Sequence, residues 1–359
     1  MNVTALLTNT CNLRCTYCFE GACGAGSMNE ETALRVCDFA FEANSDRNGI
    51  SFFGGEPLIK RDLIEKMVAR CAELGSFSYN MTTNGILLDE SFVEFARKNK
   101  IRIALSHDGL AQDKCRLFPD GSGSFDRMRE KLALVNTLPN SVIMLTVVPE
   151  TAPMLSESVA WLYENGVKRV LVSTDGRPDV WDDDSFAVLS AQLEVIALDY
   201  EKRLLRGDKI RFPLFDVKIS DRVKGENHCN NCHIGYKQPI IGTDGALYPC
   251  IQFANRGEFK IGDIWNGFDE EKRRALYLRS KQPVETCTDC AIADRCRHSC
   301  PCANFEQTGN MTTVSPFTCA SQRAVIDIAD RLAERIYEKD PAIFASVYGG
   351  EREEYPVEV

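Results

Sequence analysis

Three cysteines near the start of the chain, Cys11, Cys15 and Cys18, stand at C-x3-C-x2-C spacing in the run Thr-Asn-Thr-Cys-Asn-Leu-Arg-Cys-Thr-Tyr-Cys. Thiolates so spaced can hold three corners of a [4Fe–4S] cube. Such cubes normally take four cysteines, so a missing fourth ligand leaves one iron open for something else. A structural zinc site would want four closed ligands, and no His lies nearby to complete one.

A second constellation fills the other end. Cys232 is followed after twelve residues by Gly245, and after four more by Cys250. Then come Cys287-x2-Cys290-x5-Cys296-x3-Cys300 and finally Cys319. With Cys229 counted there are eight well-spaced thiols, enough for two fully protein-ligated cubes. Between the two groups, Gly54-Gly55-Glu56-Pro57, Thr83-Asn84-Gly85 and Ser106-His107-Asp108-Gly109 each end a β-rich run. Glycines let the backbone approach a ligand closely, and a carboxylate can accept hydrogen bonds from an ammonium.

The first motif resembles that of the radical S-adenosylmethionine (SAM) superfamily, C-x3-C-x-aromatic-C, with Tyr17 as the aromatic. The resemblance implies that the open iron chelates SAM, and that an electron from the cluster cleaves it to a 5′-deoxyadenosyl radical that abstracts a substrate hydrogen. Cys11, Cys15 and Cys18 would be the ligands, and Tyr17 would lie against the adenine. Gly54, Gly55 and Glu56 match the family's GGEP motif, which binds the SAM amino group. Ser106 and Arg116 would contact its ribose and carboxylate, joined by Asn84 and Asp108. Gln112 stands where the stretch Asp113-Lys-Cys-Arg116 usually has a preceding His.

The later cysteines are similar to the SPASM extension, which carries two auxiliary [4Fe–4S] clusters in members that modify peptides and proteins. By that likeness Cys287, Cys290, Cys296 and Cys319 hold a distal cluster, and Cys232, Cys250 and Cys300 a proximal one. Cys229 is either its fourth ligand or a spare that leaves an iron open to a substrate thiolate, and Cys302 is a stand-in for Cys300. The expected cofactors are thus three [4Fe–4S] clusters and SAM.

Two departures narrow the chemistry. Sulfatase-maturing relatives carry an Asp after the cysteine equivalent to Cys250, where this chain has Ile251, and a Tyr where it has Glu20. Formylglycine formation is therefore disfavoured. Many peptide-modifying members begin with a leader-binding winged helix, whereas here the first barrel strand starts at residue 2. That domain is expected to be missing or supplied by another chain.

Positioning these residues calls for an α/β scaffold. Short β-rich runs at 3–8, 49–53, 77–82, 101–106, 142–147 and 167–173 alternate with helical stretches, the pattern of βα units on a parallel sheet. The stretch 28–44 carries an apolar stripe at Leu34, Cys37 and Phe41, and 61–73 repeats it with Ile64, Met67, Val68 and Cys71. Six such units predict a partial (β/α)6 TIM-like barrel over 1–206, with chemistry at the C-terminal ends of its strands. A long helix is expected over 182–207. A Cys-rich domain would cover 207–320, with little periodicity and a need for metal. An amphipathic helix (Val325, Ile328, Leu332, Ile336) and an acidic tail would close the chain over 321–359.

The 359 residues carry a net charge of −10, which argues against nucleic acid as partner. No apolar run is long enough for a membrane span and no signal peptide is recognisable. The sixteen cysteines cluster too closely for most disulfides, which predicts a reducing cytoplasm. Cys37 and Cys71 read as small hydrophobes on helical stripes. Cys23 and Cys115 are loop thiols that an epimerase would need as hydrogen donors. His107, His228, His233 and His298 share no metal spacing and read as neighbours of the clusters.

The expected function is a maturase of a ribosomally made, Cys-containing peptide, closing thioether bonds from Cys sulfur to carbon. Carbon–carbon crosslinking and epimerisation are the enzymatic alternatives, and an iron–sulfur electron carrier or scaffold the non-catalytic one. Flavodoxin or ferredoxin would donate the electron.

Overall fold

The computed structural model describes residues 1–18, 26–43, 48–225, 232–296 and 298–349. Glu20, Cys23, His228, Cys229 and the acidic tail lie outside them.

Strands and helices alternate over the first two-thirds of the chain: β1 (Asn2–Leu6), α1 (Glu30–Glu42), β2 (Asn48–Phe53), α2 (Arg61–Leu74), β3 (Phe77–Thr83) and α3 (Glu90–Lys98). They continue with β4 (Ile101–Ser106), α4 (Phe125–Val135), β5 (Val142–Val147), α5 (Leu155–Glu164), β6 (Val170–Thr174) and α6 (Asp183–Leu205). All six anticipated βα units form, with boundaries shifted by up to three residues. Beyond them come α7 (Pro213–Lys224), a short hairpin of β7 (Ile240–Ile241) and β8 (Leu247–Tyr248), α8 (Glu270–Ser280), α9 (Pro301–Thr308), α10 (Pro316–Lys339) and α11 (Pro341–Tyr348). Among the described residues no helix is long and apolar enough to cross a membrane.

The chain divides into two compact units, each assembled from separated stretches. The first takes Met1–Ser106, Arg116–Ser141 and Cys232–Gln282; the second takes His107–Cys115, Val142–Asn231 and Pro283–Val359.

In the first unit β1, β2, β3 and β4 run parallel in that order, and β7 adds to the free side of β1. Leu6 is level with Phe53, Phe52 with Met81, and Thr83 with Leu105, so the C-terminal ends of the four strands come out together. Their buried residues, among them Val3, Leu6, Ile50, Phe52, Met81, Ile103 and Leu105, read as near-continuous apolar runs, as covered parallel strands require. The helices start on side-chain caps: Asn29 accepts from Thr32 N at 2.8 Å and Asp89 from Phe92 N at 2.7 Å. Cys37 and Cys71 are fully buried, and the Cys37 thiol donates to Ala33 O and Met67 O across the α1–α2 packing.

In the second unit β5 and β6 run parallel, and α6 and α7 pack against α10. Tyr200, Phe212 and Phe215 are fully buried here. The Asp216 carboxylate is buried among them and accepts from Tyr200 OH at 2.8 Å, Tyr348 OH at 3.1 Å and Phe212 N at 2.9 Å. Burial pushes its carboxyl up to about 6, against the opposing pull of these donors.

The stretch expected to lack periodicity holds α7, α8 and α9. Helix α7 has the right punctuation, with Pro213 in its first turn and Gly225 in the left-handed region (φ 62°) after its end. Its apolar stripe is disguised because Asp216, Lys218 and Asp221 are themselves buried. Helix α10 starts at Pro316, inside the stretch expected for the Cys-rich domain, capped by Ser315, which accepts from Thr318 N, and opened by that proline. Cys319 therefore rides on the first turn of a helix.

Candidate active site

Cys11, Cys15 and Cys18 follow β1, on the loop at the C-terminal end of the first unit's sheet. Cys11 and Cys15 are half-buried and Cys18 is exposed. The Cys11 sulfur accepts from Leu13 N at 3.4 Å and from the Asn84 side-chain amide at 3.5 Å. Arg14 ties the loop by donating to Cys11 O and Leu13 O, each at 2.8 Å. A two-residue antiparallel pairing then sets Cys15 opposite Arg116 and Arg14 opposite Leu117. Arg116 is thereby buried, its guanidinium 5.3 Å from the centre of the Tyr17 ring.

The Gly54-Gly55-Glu56 turn after β2 is zipped onto the same loop. Gly55 N donates to Thr8 O at 2.7 Å and Glu56 N to Thr10 O at 3.0 Å. A Cβ on Gly54 or Gly55 would lie 2.4 Å from Thr8 O or Thr10 O, and Gly54 has φ 136°. The glycines thus make room first of all for the loop that carries the cysteines.

Glu56 is fully buried. One carboxylate oxygen accepts from Thr83 Oγ1 at 2.6 Å and Leu58 N at 3.0 Å, the other from Asn84 N at 2.8 Å. Burial pushes its carboxyl up to about 7, while the three donors pull the other way. Asn84 bridges the two motifs, since its side chain also donates to Asn12 Oδ1 at 2.7 Å.

Ser106 closes β4, half-buried. Asp108 belongs to the second unit, where it is buried and accepts from Thr146 N at 3.0 Å. Gln112 caps the same turn, accepting from Asp108 N at 2.8 Å. Cys115 is buried, only 2% exposed.

In the second unit Cys287, Cys290, Cys296 and Cys319 line one hollow with Ile292, Ala293, His298, Val314 and Arg323. These are the four thiols expected for the distal cluster. Among the described residues no three His, Cys, Asp or Glu side chains close on a single ion, so the thiols outline a space rather than a point. His298 Nδ1 is buried there with no hydrogen-bond partner among the described residues. Four convergent thiols and an orphaned ring nitrogen around one hollow fit a cluster with sulfur corners. Cys300 is the half-buried N-cap of α9, while Cys302 is turned into the packing.

Cys232 and Cys250 lie in the first unit, exposed and half-buried respectively. Gly235 N donates to Pro249 O at 3.1 Å, which brings the chain after Cys232 beside the residue preceding Cys250. Ile251 packs against Leu6, Ile240, Ala246 and Tyr248, so an apolar side chain fills the position after Cys250. His233 stacks on Tyr277.

Sequence reasoning left three participants without a role: Asn12, Thr83 and Arg323. Thr83 was visible beside Asn84, and Arg323 follows Cys319 at i+4 on one helix face.

A model of the radical SAM superfamily matches residues 6–162, and that of the SPASM iron–sulfur cluster-binding domain matches residues 229–291. A cysteine-type anaerobic sulfatase-maturating enzyme of Clostridium novyi is 25% identical over 82% of this chain and 85% of its own. A PqqA peptide cyclase of Granulibacter bethesdensis is 25% identical over 89% of this chain and 87% of its own. Among solved structures, native anSMEcpe with bound AdoMet and Kp18Cys peptide superimposes with a TM-score of 0.82 at 19% identity, covering 94% of this chain and 99% of that one. That last likeness is one of fold. With both cysteine groups set in this α/β scaffold and the two models matched along it, the chain carries a radical SAM domain over residues 6–162 and a SPASM iron–sulfur cluster-binding domain over residues 229–291.

Proposed function

We propose that this chain is a peptide maturase that closes thioether bonds between Cys sulfur and carbon in a ribosomally made precursor. The observation that carries the reading is the single constellation of Cys11, Glu56, Asn84 and Arg116 at the ends of parallel strands. In it Cys11, Cys15 and Cys18 hold a cluster, and Arg116, Tyr17 and Ser106 orient the carboxylate, adenine and ribose of SAM. Glu56 faces the amino group and holds the Asn84 backbone in place. When bound, SAM and the reduced cluster supply a radical able to take a hydrogen atom from the peptide.

The two relatives named for sulfatase maturation and peptide cyclisation support a peptide as substrate. Ile251 supports the thioether: an apolar residue packed beside Cys250 offers no base, which suits a substrate that brings its own thiolate. When sulfur closes onto carbon, one hydrogen atom leaves with the nucleoside, the thiol proton goes to solvent, and one electron remains. The later cysteines would hold two auxiliary clusters able to accept an electron: Cys287, Cys290, Cys296 and Cys319 one, and Cys232, Cys250 and Cys300, with Cys229 as fourth ligand or spare, the other. Flavodoxin or ferredoxin supplies the initiating electron. The buried Cys115 speaks against epimerisation with that thiol as hydrogen donor.

Enzyme, SAM, reductant and a Cys-containing precursor peptide should give a product about 2 Da lighter per link, with one alkylatable thiol lost each time. A product lacking two hydrogens but alkylated at every Cys would replace the thioether by carbon–carbon coupling. Unchanged mass in water with about 1 Da gained in deuterium oxide would replace it by epimerisation.

A further inference from the structure

Arg323 is exposed on α10, one turn after Cys319. Its Nη2 donates to Cys290 Sγ at 3.5 Å, and the same guanidinium hydrogen-bonds Cys319. It also lines the hollow with all four thiols. Other arginines of this helix are spent on carboxylates: Arg331 pairs with Asp327 and Glu194, and Arg335 with Glu201. Arg323 is aimed at sulfur.

A permanent cation bonded to two of four ligand sulfurs has a definite electrostatic consequence. Reduction adds one negative charge to a thiolate-ligated cube, and a neighbouring positive charge and N–H···S bonds favour the more negative state. Hydrogen bonds to sulfur, net charge and solvent exposure are the protein's levers on such a potential. We propose that Arg323 is a redox-positioning residue, which raises the reduction potential of the cluster held by Cys287, Cys290, Cys296 and Cys319 and so makes it an electron acceptor. The inference rests on the assignment of a cluster to these thiols and is independent of which bond the enzyme makes.

The test uses the full chain with Cys11, Cys15 and Cys18 replaced by Ala, leaving only auxiliary clusters to titrate. Arg323→Ala, Arg323→Gln and Arg323→Lys are reconstituted in that background, their iron counted, and their midpoints followed by EPR-monitored redox titration. Iron should stay at roughly eight per chain. One midpoint should move to more negative potential in the Ala and Gln variants, Lys should restore part of the shift, and the second midpoint should stay put. Unchanged midpoints at full iron would overturn the role. So would loss of about four irons in all three variants, which would make Arg323 a support for cluster assembly. A parent protein that keeps all its iron when Cys287, Cys290, Cys296 and Cys319 are replaced by Ala would overturn the cluster assignment itself, and the inference with it.

Discussion

Three donors converge on Glu56, from Thr83, Asn84 and Leu58, and none of them has water as an alternative because the carboxylate is fully buried. The residue therefore holds two strand ends together in addition to any contact with SAM. Glu56→Ala is predicted to weaken SAM binding by about 1.5–3 kcal/mol through loss of a charged acceptor. It should also lower unfolding stability by about 1–3 kcal/mol, because buried donors are left unpaired. Calorimetry at matched iron content and urea unfolding read the two effects separately. Wild-type SAM affinity combined with lowered stability would reduce Glu56 to a brace.

At the scale of elements, the cluster loop and the turn after β2 form one interlocked unit. Gly54→Ala places a methyl group 2.4 Å from Thr8 O at φ 136°. The expected cost is about 2–5 kcal/mol, backbone strain and overlap together, with loss of about four irons as the cysteine loop is pushed away. Gly121 is the control, with φ 85° but no atom within 4 Å of its Cβ position. Gly121→Ala should keep all its iron; equal iron in the Gly54 variant would show that the loop does not depend on the close approach. Helix α7 offers a pH test. The Asp216 carboxyl holds its proton up to about 6 in the folded protein against 3.8 ordinarily. Between those values the native state binds more protons than the unfolded chain, so this group's contribution to stability falls as pH rises from about 4 to 6. Asp216→Asn, which has no such proton, should flatten that part of the profile. Urea midpoints at pH 5 and 7 decide it: identical slopes in the two proteins would contradict the burial effect.

For the whole molecule the prediction concerns metal. Three cysteine groups should give roughly twelve irons per chain after anaerobic reconstitution. Replacing Cys11, Cys15 and Cys18 by Ala should remove about four of them and abolish SAM cleavage. Unchanged iron in that triple variant would refute the cluster loop.

What the sequence determined by itself was whatever is local or periodic. The C-x3-C-x2-C spacing and the six alternating units were legible because ligand spacing and amphipathic period are written along the chain, whereas the grouping of Cys319 with Cys287, Cys290 and Cys296 came only from the family resemblance. Tertiary structure alone decided the rest. The sequence offers Glu56 as a carboxylate for an ammonium, and only the fold shows it fully buried and bonded to Thr83 and Asn84 from the next strand. Gly54 and Gly55 read as ligand-facing until the Thr8–Thr10 backbone takes the space of their missing side chains. Helix α7 was hidden because Asp216, Lys218 and Asp221 look solvent-facing in sequence, yet partners far along the chain, Tyr348 for Asp216 and Arg295 O for Lys218, let them be buried. A pattern of polar and apolar residues predicts burial only while polar groups stay with water. Partners supplied from a distance reverse it, and only the folded chain brings them together.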